Sequence, residues 1–266
     1  MRKSLALTVA ACLLVAALPA QAGAGSLVDA RYAVQTMGVN VGQAALRLEQ
    51  VAEGLAARLR FEVKALLGLV EGSDTRMENV SVLGREAPSP RRFDGVYAKA
   101  DRTREIDMAY DAEGRVEQFR LTKRGRVRVD AVPAGLAPGV VDPMGAFLLA
   151  RTWLDRAPEG AELALPIFDG RKRYDARLRY LGLTQAAYAL GTAPAHRIGL
   201  SYRHVESMNE DTGVLEPERD GRLRELELAV SADGRYVPLR LDGSLDGMPV
   251  TAILLGDCAA PAGCPQ

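Results

Sequence analysis

Residues 58–65 read Arg-Leu-Arg-Phe-Glu-Val-Lys-Ala, an unbroken alternation of charged and apolar side chains. Successive side chains of a β-strand point to opposite faces, so this stretch predicts a strand with one wet face and one dry face. The wider window 43–67 is rich in Ala, Leu, Arg and Glu, which favour helix. We give the alternation more weight. A helix would place Arg58 and Glu62 on the face away from the core, and the remaining residues of the segment could not fill that core.

The same period of two recurs along the chain. The further alternating segments are 118–121, 126–130, 177–180 and 222–228. Their dry faces are expected to carry Phe61, Val63, Phe119, Leu121, Val127, Val129, Leu178 and Tyr180. Turn signals of Asp and Gly, which favour tight hairpins, stand at 111–114, 169–170, 231–234, 242–243 and 246–247. The pattern predicts a mainly β fold, an antiparallel meander of roughly a dozen strands that forms an open rolled or barrel-like sheet.

One mid-chain helix is predicted to pack on this sheet. Asp142 is a favourable N-cap, Pro143 suits the first helical position, and residues 144–154 supply an apolar stripe. The helix should end before Pro158. The side chains expected to face the sheet are Phe147, Ala150, Trp153 and Leu154. A Pro/Gly-rich loop, 133–139, precedes the helix.

The N-terminus has the organisation of a secretory signal peptide. Arg2 and Lys3 precede an apolar run over 5–18, and Ala20-Gln21-Ala22 forms a cleavage pattern. We expect cleavage after Ala22 and a periplasmic location. Two alternatives stay open: an uncleaved anchor, for which the run is shorter than the roughly 20 residues that span a bilayer, and a lipid anchor at Cys12.

The remaining chain, 23–266, is expected to form a single β-rich periplasmic domain, with two β subdomains joined near 133–160 as the alternative. Removing Arg2 and Lys3 leaves 32 basic against 34 acidic residues, so the formal charge is −2. A nearly neutral chain has no electrostatic reason to bind nucleic acid. The local basic clusters, 91–92 and 171–173, are too short to bind a polyanion on their own.

Two cysteines remain after cleavage, Cys258 and Cys264, which bracket a Pro/Gly-containing loop at the C-terminus. In an oxidising compartment this pair predicts a disulfide. So short a loop restrains little of the unfolded chain, about 2 kcal/mol by the chain-entropy relation. The spacing is not that of a Cys-x-x-Cys redox motif.

No combination of residues in the sequence forces a particular reaction. The only histidines are His196 and His204, and Ser201 should point away from His204 on a strand. Two histidines without nearby free cysteines are a poor start for a zinc site. A loose acidic group, which lacks the spacing of a dedicated calcium loop, comprises Glu206, Glu210, Asp211 and Glu216. We therefore predict no catalytic, cofactor-binding or metal-binding residues.

Several landmarks, taken in order, resemble one exported bacterial family. The landmarks are Tyr32, 37–42 (Met-Gly-Val-Asn-Val-Gly), Asp142-Pro143, 166–171 (Pro-Ile-Phe-Asp-Gly-Arg), Tyr174 and 237–241 (Val-Pro-Leu-Arg-Leu). Together they resemble the domain-of-unknown-function family 3108 from about residue 27 to residue 255. The chain departs from the family pattern at Met144-Gly145, where a small polar residue and a second small residue are usual.

The resemblance implies a signal-bearing, β-rich envelope protein of Gram-negative bacteria, with no catalytic residues to transfer. The shared residues have structural explanations: Gly38 and Gly42 would bracket a turn, and Pro238 would suit an edge strand, where its missing N–H matters little. The family-pattern residues expected to serve folding are Gly38, Gly42, Asp142, Pro143, Phe168, Asp169, Gly170, Tyr174 and Pro238.

Three functions are compatible with these observations. The first is a non-catalytic periplasmic protein that binds or scaffolds an envelope component, a lipid, a glycan or a protein, on a curved β-sheet. The second is a cell-wall or polysaccharide hydrolase that uses paired carboxylates. The third is a structural subunit of an envelope complex, which a large exposed apolar patch would favour.

Overall fold

The computed structural model describes residues 26–52, 54–63, 72–84, 87–99, 102–218, 221–245 and 247–259. The signal segment, Cys12 and Cys264 lie outside these ranges. The described residues form one helix, α1 (Pro143–Leu154), and fifteen strands. The strands are β1 (Ser26–Thr36), β2 (Val39–Val51), β3 (Gly54–Val63), β4 (Ser73–Leu83), β5 (Pro88–Lys99), β6 (Arg102–Tyr110), β7 (Val116–Lys123), β8 (Arg126–Val129), β9 (Glu162–Phe168), β10 (Lys172–Tyr188), β11 (Gly191–Met208), β12 (Leu215–Pro217), β13 (Arg224–Ser231), β14 (Pro238–Leu245) and β15 (Met248–Asp257).

All fifteen strands belong to one antiparallel sheet, as the alternation predicts. The spatial order is β8-β7-β6-β5-β4-β3-β2-β1-β15-β14-β13-β11-β10-β9, with β12 added beside β11. The chain thus builds two meandering arms. The first and last strands, β1 and β15, pair at the centre with Tyr32 opposite Leu254, and join the arms into a continuous sheet.

The segment with conflicting propensities is strand, not helix. Residues 58–63 lie in β3, whose Leu59 and Phe61 pair with Leu46 and Ala44 of β2. Lys64 and Ala65 lie outside the described residues. Cross-strand packing between β2 and β3 therefore outweighs the helix propensity of their alanines and leucines.

The two arms curl over each other, so that their inner faces meet. The Phe119 ring of β7 lies 5.9 Å from the Phe168 ring of β9. The Tyr97 hydroxyl of β5 donates to the backbone carbonyl of Asp169 at 3.1 Å. Beside it, Gly170 presses on Ile106 of β6 so closely that a Cβ at Gly170 would lie 2.3 Å from Ile106 Cγ2. The β9–β10 turn thus fastens one arm to the other.

Two apolar clusters fill the interior. The larger lies between the arms, and its fully buried members include Val28, Leu48, Phe93, Leu121 and Phe168. The smaller joins α1 to the outer part of the second arm through Val141, Leu154, Leu165, Leu178 and Ile198. Burial of each such side chain is worth about 1.5–3 kcal/mol.

Helix α1 contributes to both clusters and begins at the predicted N-cap. Its C-cap is Asp155, three residues before Pro158. Met144 and Leu148 belong to the larger cluster, whereas Ala146 and Leu154 belong to the smaller one. Of the four side chains expected to face the sheet, Leu154 is buried, and the half-buried others are Phe147, Ala150 and Trp153. No helix of the described ranges combines the length and apolar content required to cross a bilayer.

Three local predictions were wrong. Asp242-Gly243 does not form a turn but lies inside β14, where Leu226 Cδ2 of β13 occupies the space that a Cβ on Gly243 would take. Val127 is 54% exposed, because β8 is an edge strand whose side chains have little to pack against. Pro238 is not on an edge strand. It opens β14, between β13 and β15, at a bulge opposite Val230, another position where a missing N–H is tolerated.

Replacing Gly170 with Ala is expected to destabilise the protein more than the same change at Gly114. Both glycines have positive φ, +89° and +77°, so both substitutions carry a backbone cost of about 1–2 kcal/mol. Only Gly170 faces a packed neighbour, Ile106, which adds about 1–3 kcal/mol of overpacking. Urea unfolding of both variants measures the difference. Equal losses would show that the turn does not pack on β6 as described.

Candidate functional site

A cavity of about 270 Å³ opens at the end of the roll where the β10–β11 turn, the β13–β14 turn and the end of β15 converge. The backbone N–H of Ala189 donates to the carbonyl of Leu254 at 3.1 Å, which ties the first turn to β15. We call this cavity the end pocket. Its apolar wall consists of Tyr188, Leu190, Ala193, Pro194, Ala232, Val237, Leu239 and Leu254.

The polar rim of the end pocket contains one cation held by two carboxylates. Arg235 pairs with Asp233 at 2.7 Å and with Asp257 on its other side. Burial alone would raise the pKa of Asp233, but hydrogen bonds from Ser231 and Arg235 lower it. Asp257 also accepts a hydrogen bond from the backbone N–H of Asp29 at 2.9 Å. The rim therefore carries a formal charge of −1.

The tyrosine at the centre of β1 has a buried, unsatisfied hydroxyl. Tyr32 belongs to the same apolar cluster as Val237, Leu239 and Leu254 of the end pocket. Among the described residues its hydroxyl oxygen has no hydrogen-bond partner. Burial, followed by the negative charge of Asp257, raises the pKa of Tyr32. An unpaired buried hydroxyl destabilises a fold by about 1–3 kcal/mol.

The N-cap of α1 lies at the centre of a buried hydrogen-bond network. Asp142 Oδ1 accepts from the backbone N–H groups of Met144 and Gly145 at 2.9 and 2.8 Å. Its Oδ2 accepts from Asn79 Nδ2 of β4 at 2.7 Å and from the Tyr110 hydroxyl of β6 at 3.2 Å. Burial outweighs these four donors and raises the pKa of Asp142 to about 6.

This network also explains why residue 145 is a glycine. A Cβ at Gly145 would lie 2.9 Å from Asp142 Oδ2 and 3.5 Å from Asn79 Nδ2, so it would crowd the capping carboxylate. Pro143 occupies the first helical position beside it. Nothing in the local sequence indicates that Asn79 and Tyr110 would join the cap, since β4 and β6 reach it only through the tertiary fold.

The half-buried Asp169 organises the β9–β10 turn. Asp169 Oδ1 accepts from the backbone N–H groups of Arg171 and Lys172 at 2.8 and 2.7 Å. The Tyr174 hydroxyl donates to Oδ2 at 3.3 Å. Burial raises the pKa of Asp169 against the opposing effect of these backbone donors. Phe168, which precedes it, is fully buried.

The two glycines near the first turn have different environments. Gly38 lies in the β1–β2 turn itself with φ +76°. Gly42 lies inside β2, where a Cβ would come within 2.2 Å of the backbone carbonyl oxygen of Glu62 on β3. Only Gly38 is therefore a turn residue, and Gly42 permits close approach of two strands.

The histidine–serine pair considered from the sequence does not form, but a different one does. His204 Nε2 lies 3.0 Å from Ser207 Oγ, and His204 Nδ1 lies 3.1 Å from Glu218 Oε2. A bulge at Val205, where the register with β10 shifts, turns Ser207 to the same side as His204. The sequence reasoning missed this trio because a regular strand would separate residues three apart.

The trio has the residue types of a catalytic triad but not its hydrogen bonding. His204 Nε2 also lies 2.8 Å from the backbone carbonyl oxygen of Glu206, which can only accept. We therefore assign a hydrogen to Nε2, which leaves no lone pair there to take a proton from Ser207. The Ser207 hydroxyl also lies within 3.4 Å of Glu218 Oε2. The trio is best explained as a clamp that holds Glu218 against β11.

The other histidine, His196, also has contacts that suit a structural role. The Tyr180 hydroxyl lies 3.0 Å from His196 Nδ1, and the Tyr236 ring lies 5.6 Å from the imidazole. Burial lowers the pKa of His196.

The acidic residues between 206 and 216 do not gather at one point, because each contacts a different partner. Glu206 pairs with Arg173, Asp211 with Arg128, and Glu210 with both Arg104 and Lys123, while Glu216 accepts from Asn209. Within the described ranges no three His, Cys, Asp or Glu side chains are arranged to hold a metal ion.

One pair of neighbouring carboxylates includes a group with a raised pKa, Asp107, but does not lie in a cleft. Asp94 and Asp107 face each other across β5 and β6, and burial followed by the proximity of Asp94 raises the pKa of Asp107. Both alternate with the buried Phe93 and Met108, so they lie on the outer face of the sheet.

Sequence comparison identifies the family. The family described as "Protein of unknown function (DUF3108)" matches residues 31–248, and the chain belongs to this family. No curated protein matches the chain.

Three solved structures align with most of the chain. A β-barrel-like protein of domain of unknown function DUF1849 from Brucella abortus superposes with a TM-score of 0.52 at 9% identity, covering 87% of this chain and 97% of that one. A Bacteroides fragilis protein with a YmcC-like fold, assigned as exported, gives 0.36 at 6% identity, with coverage of 86% and 94%. A Parabacteroides distasonis protein, assigned as a lipoprotein, gives 0.35 at 8% identity, with coverage of 88% and 95%. The Brucella structure shares the fold.

Replacing Tyr32 with Phe is expected to stabilise the ligand-free protein by about 1 kcal/mol, because it removes an unsatisfied buried hydroxyl. The matched change Tyr110→Phe should destabilise it by about 1.5–3 kcal/mol, because the Asp142 carboxylate loses a donor. Urea unfolding measures both. A destabilised Tyr32→Phe variant would mean that this hydroxyl has a partner in solution.

Proposed function

We propose that this DUF3108 protein is an exported, non-catalytic envelope protein that binds a lipid hydrocarbon chain in the end pocket. The observation that carries the proposal is a preformed cavity with an apolar wall, open at one end of a rolled sheet. Small-molecule sites are typically concave, mostly apolar and lined by few polar groups.

The composition of the cavity favours a hydrocarbon chain over a glycan. Eight lining residues are apolar or aromatic, against four polar ones, Ser231, Asp233, Arg235 and Asp257. A glycan would leave most of its hydroxyls without partners on such a wall, which costs free energy for each unpaired group. Leu190 stands at the mouth and is 60% exposed, as expected of a contact surface for an incoming chain.

The volume of the end pocket and the charge of its rim further restrict which ligands it can bind. At about 270 Å³ the cavity lies just below the range of roughly 300–1,000 Å³ for small-molecule pockets, so it would hold part of a chain. The rim charge of −1 opposes an anionic group next to the mouth. The portion of the lipid at the rim should therefore be uncharged or cationic.

The hydrolase alternative has less support. Asp107, whose pKa is raised, and its neighbour Asp94 lie on the outer face of the sheet rather than in a concave site. The Ser207–His204–Glu218 trio has its Nε2 committed to a backbone carbonyl.

Export and processing form part of the proposal. Residues 23–266 would be one periplasmic domain, released by cleavage after Ala22 and closed at its end by a Cys258–Cys264 disulfide. Intact mass of the protein recovered from the envelope, with and without reductant and alkylation, is expected to show a chain beginning at Gly23 with no free thiol. A mass that retains Cys12, with or without acyl groups, would contradict the cleavage.

Filling the end pocket should abolish lipid binding. Ala193→Phe places a ring in the cavity, whereas Ala187→Phe places one on the outer face of the same hairpin, where Ala187 is exposed. The fluorescence of N-phenylnaphthylamine, an uncharged apolar probe, should increase with the wild type and with Ala187→Phe. Its affinity for Ala193→Phe should be at least about tenfold weaker, equal to about 1.4 kcal/mol.

Native mass spectrometry of protein purified from its own envelope provides the second measurement. Lipid carried by the wild type and by Ala187→Phe, but absent from Ala193→Phe, would support the proposal. Unchanged probe binding by a folded Ala193→Phe variant would overturn it. Thermal unfolding of each variant controls for loss of structure.

A further inference from the structure

A second cleft, of about 230 Å³, lies where the β9–β10 turn packs on β5 and β6. Its polar lining comprises Tyr97, Arg104, Asp169, Arg171, Lys172 and Tyr174. The close packing of Gly170 on Ile106 fixes the distance between the two arms at this point. Residues from distant parts of the sequence thus meet in one depression.

Positive charge exceeds negative charge around this cleft. Arg104 and Lys123 share a single carboxylate, that of Glu210. In the described part of the chain, no carboxylate forms an ion pair with the side-chain nitrogens of Arg171 or Lys172, whose backbone N–H groups bind Asp169. Four cations therefore face two carboxylates, an excess of two positive charges.

The hydroxyl groups of the cleft are already committed. Tyr97 donates to the backbone carbonyl of Asp169, and Tyr174 donates to its carboxylate. The two rings form walls, while the guanidinium and ammonium groups remain as donors for a ligand. Arg binds phosphate oxygens through its planar fork and Lys binds them as a point charge.

We propose that this cleft binds a phosphate monoester group. A monoester carries about −1.5 to −2 charges at neutral pH, which matches the excess of two positive charges. The cleft is smaller than a typical small-molecule pocket of roughly 300–1,000 Å³, so it suits a single compact group.

The ion pairs of Arg173 argue against an extended polyanion as the ligand. Arg173, the third member of the basic run, pairs with Glu206 and with Asp175 at 2.9 Å. The run 171–173 therefore does not present a continuous row of available cations. The site accepts a local dianion rather than a chain of charges.

This site is separate from the end pocket. The cleft lies at the first residues of β10, and the end pocket lies at its last, Tyr188. Lys172 and Tyr188 are the two ends of the 17-residue strand β10, a span of up to about 50 Å along the strand. Whether this cleft binds an anion is therefore independent of whether the end pocket binds lipid.

Isothermal titration of the full mature chain with inorganic phosphate tests the proposal. The double variant Arg171→Gln/Lys172→Gln retains the backbone N–H groups that hold Asp169 and should fold normally. Its phosphate affinity should be at least about tenfold weaker than that of the wild type, because two charge-assisted contacts are lost. The control Arg31→Gln/Arg179→Gln removes the same charge from exposed positions outside the cleft and should bind phosphate as the wild type does.

Vesicle sedimentation distinguishes the two sources of such a group. Binding to phosphatidylcholine vesicles that contain phosphatidic acid, lost in Arg171→Gln/Lys172→Gln, would identify a lipid headgroup. Phosphate binding without vesicle binding would identify a soluble monoester. Absence of phosphate binding by the wild type, or equal losses in the two double variants, would overturn the proposal. Circular dichroism and thermal unfolding verify that each variant is folded.

Discussion

A buried carboxylate must be surrounded by donors, and in this protein that requirement fixes how the helix meets the sheet. Asp142 is fully buried and receives four hydrogen bonds from three elements: the first turn of α1, Asn79 of β4 and Tyr110 of β6. An uncompensated carboxylate at that position would cost several kcal/mol. The helix therefore has one orientation on the first arm. Val141, just before the cap, bridges to Ile167 of β9 and so brings the edge of the second arm to the same place.

Of the two proposed sites, only the anion cleft lies where the arms meet. The end pocket belongs to the second arm, where two turns converge around the end of β15 and leave a cavity. Arg235, the cation of its described lining, is neutralised by Asp233 and Asp257. The β9–β10 turn packs on the other arm, and there the side chains of β6 and β10 face each other. The carboxylates at this point are too few to neutralise the cations. The same long strand, β10, thus connects an apolar site with a cationic one.

Local patterns in the sequence predicted the parts of the fold that depend on neighbouring residues. The alternation at 58–63 predicted β3, and Asp142-Pro143 predicted the start of α1. Pairings between distant residues left no such signal in the sequence. Examples are the β1–β15 junction, the Asn79 and Tyr110 contacts and the Ser207–His204–Glu218 trio, which depend on strand register and on a bulge. Asp242-Gly243 misled the turn prediction because its glycine makes room for Leu226 rather than reversing the chain. Neither site could be predicted, because the anion cleft combines residues of both arms and the end pocket combines two turns with the end of β15.

The β9–β10 turn shows how folding and binding can use different atoms of the same residues. Asp169 accepts hydrogen bonds from the backbone N–H groups of Arg171 and Lys172, so the turn is held by atoms that every residue except proline has. Their charged ends form no ion pair with Asp169 and act on it only at a distance, lowering its pKa, so their nitrogens remain available to a ligand. Asp142 differs, because its side chain itself is the connection and cannot be changed without loosening the helix. For this reason, substitutions at Arg171 and Lys172 separate binding from stability, whereas substitutions at Asp142 would change both.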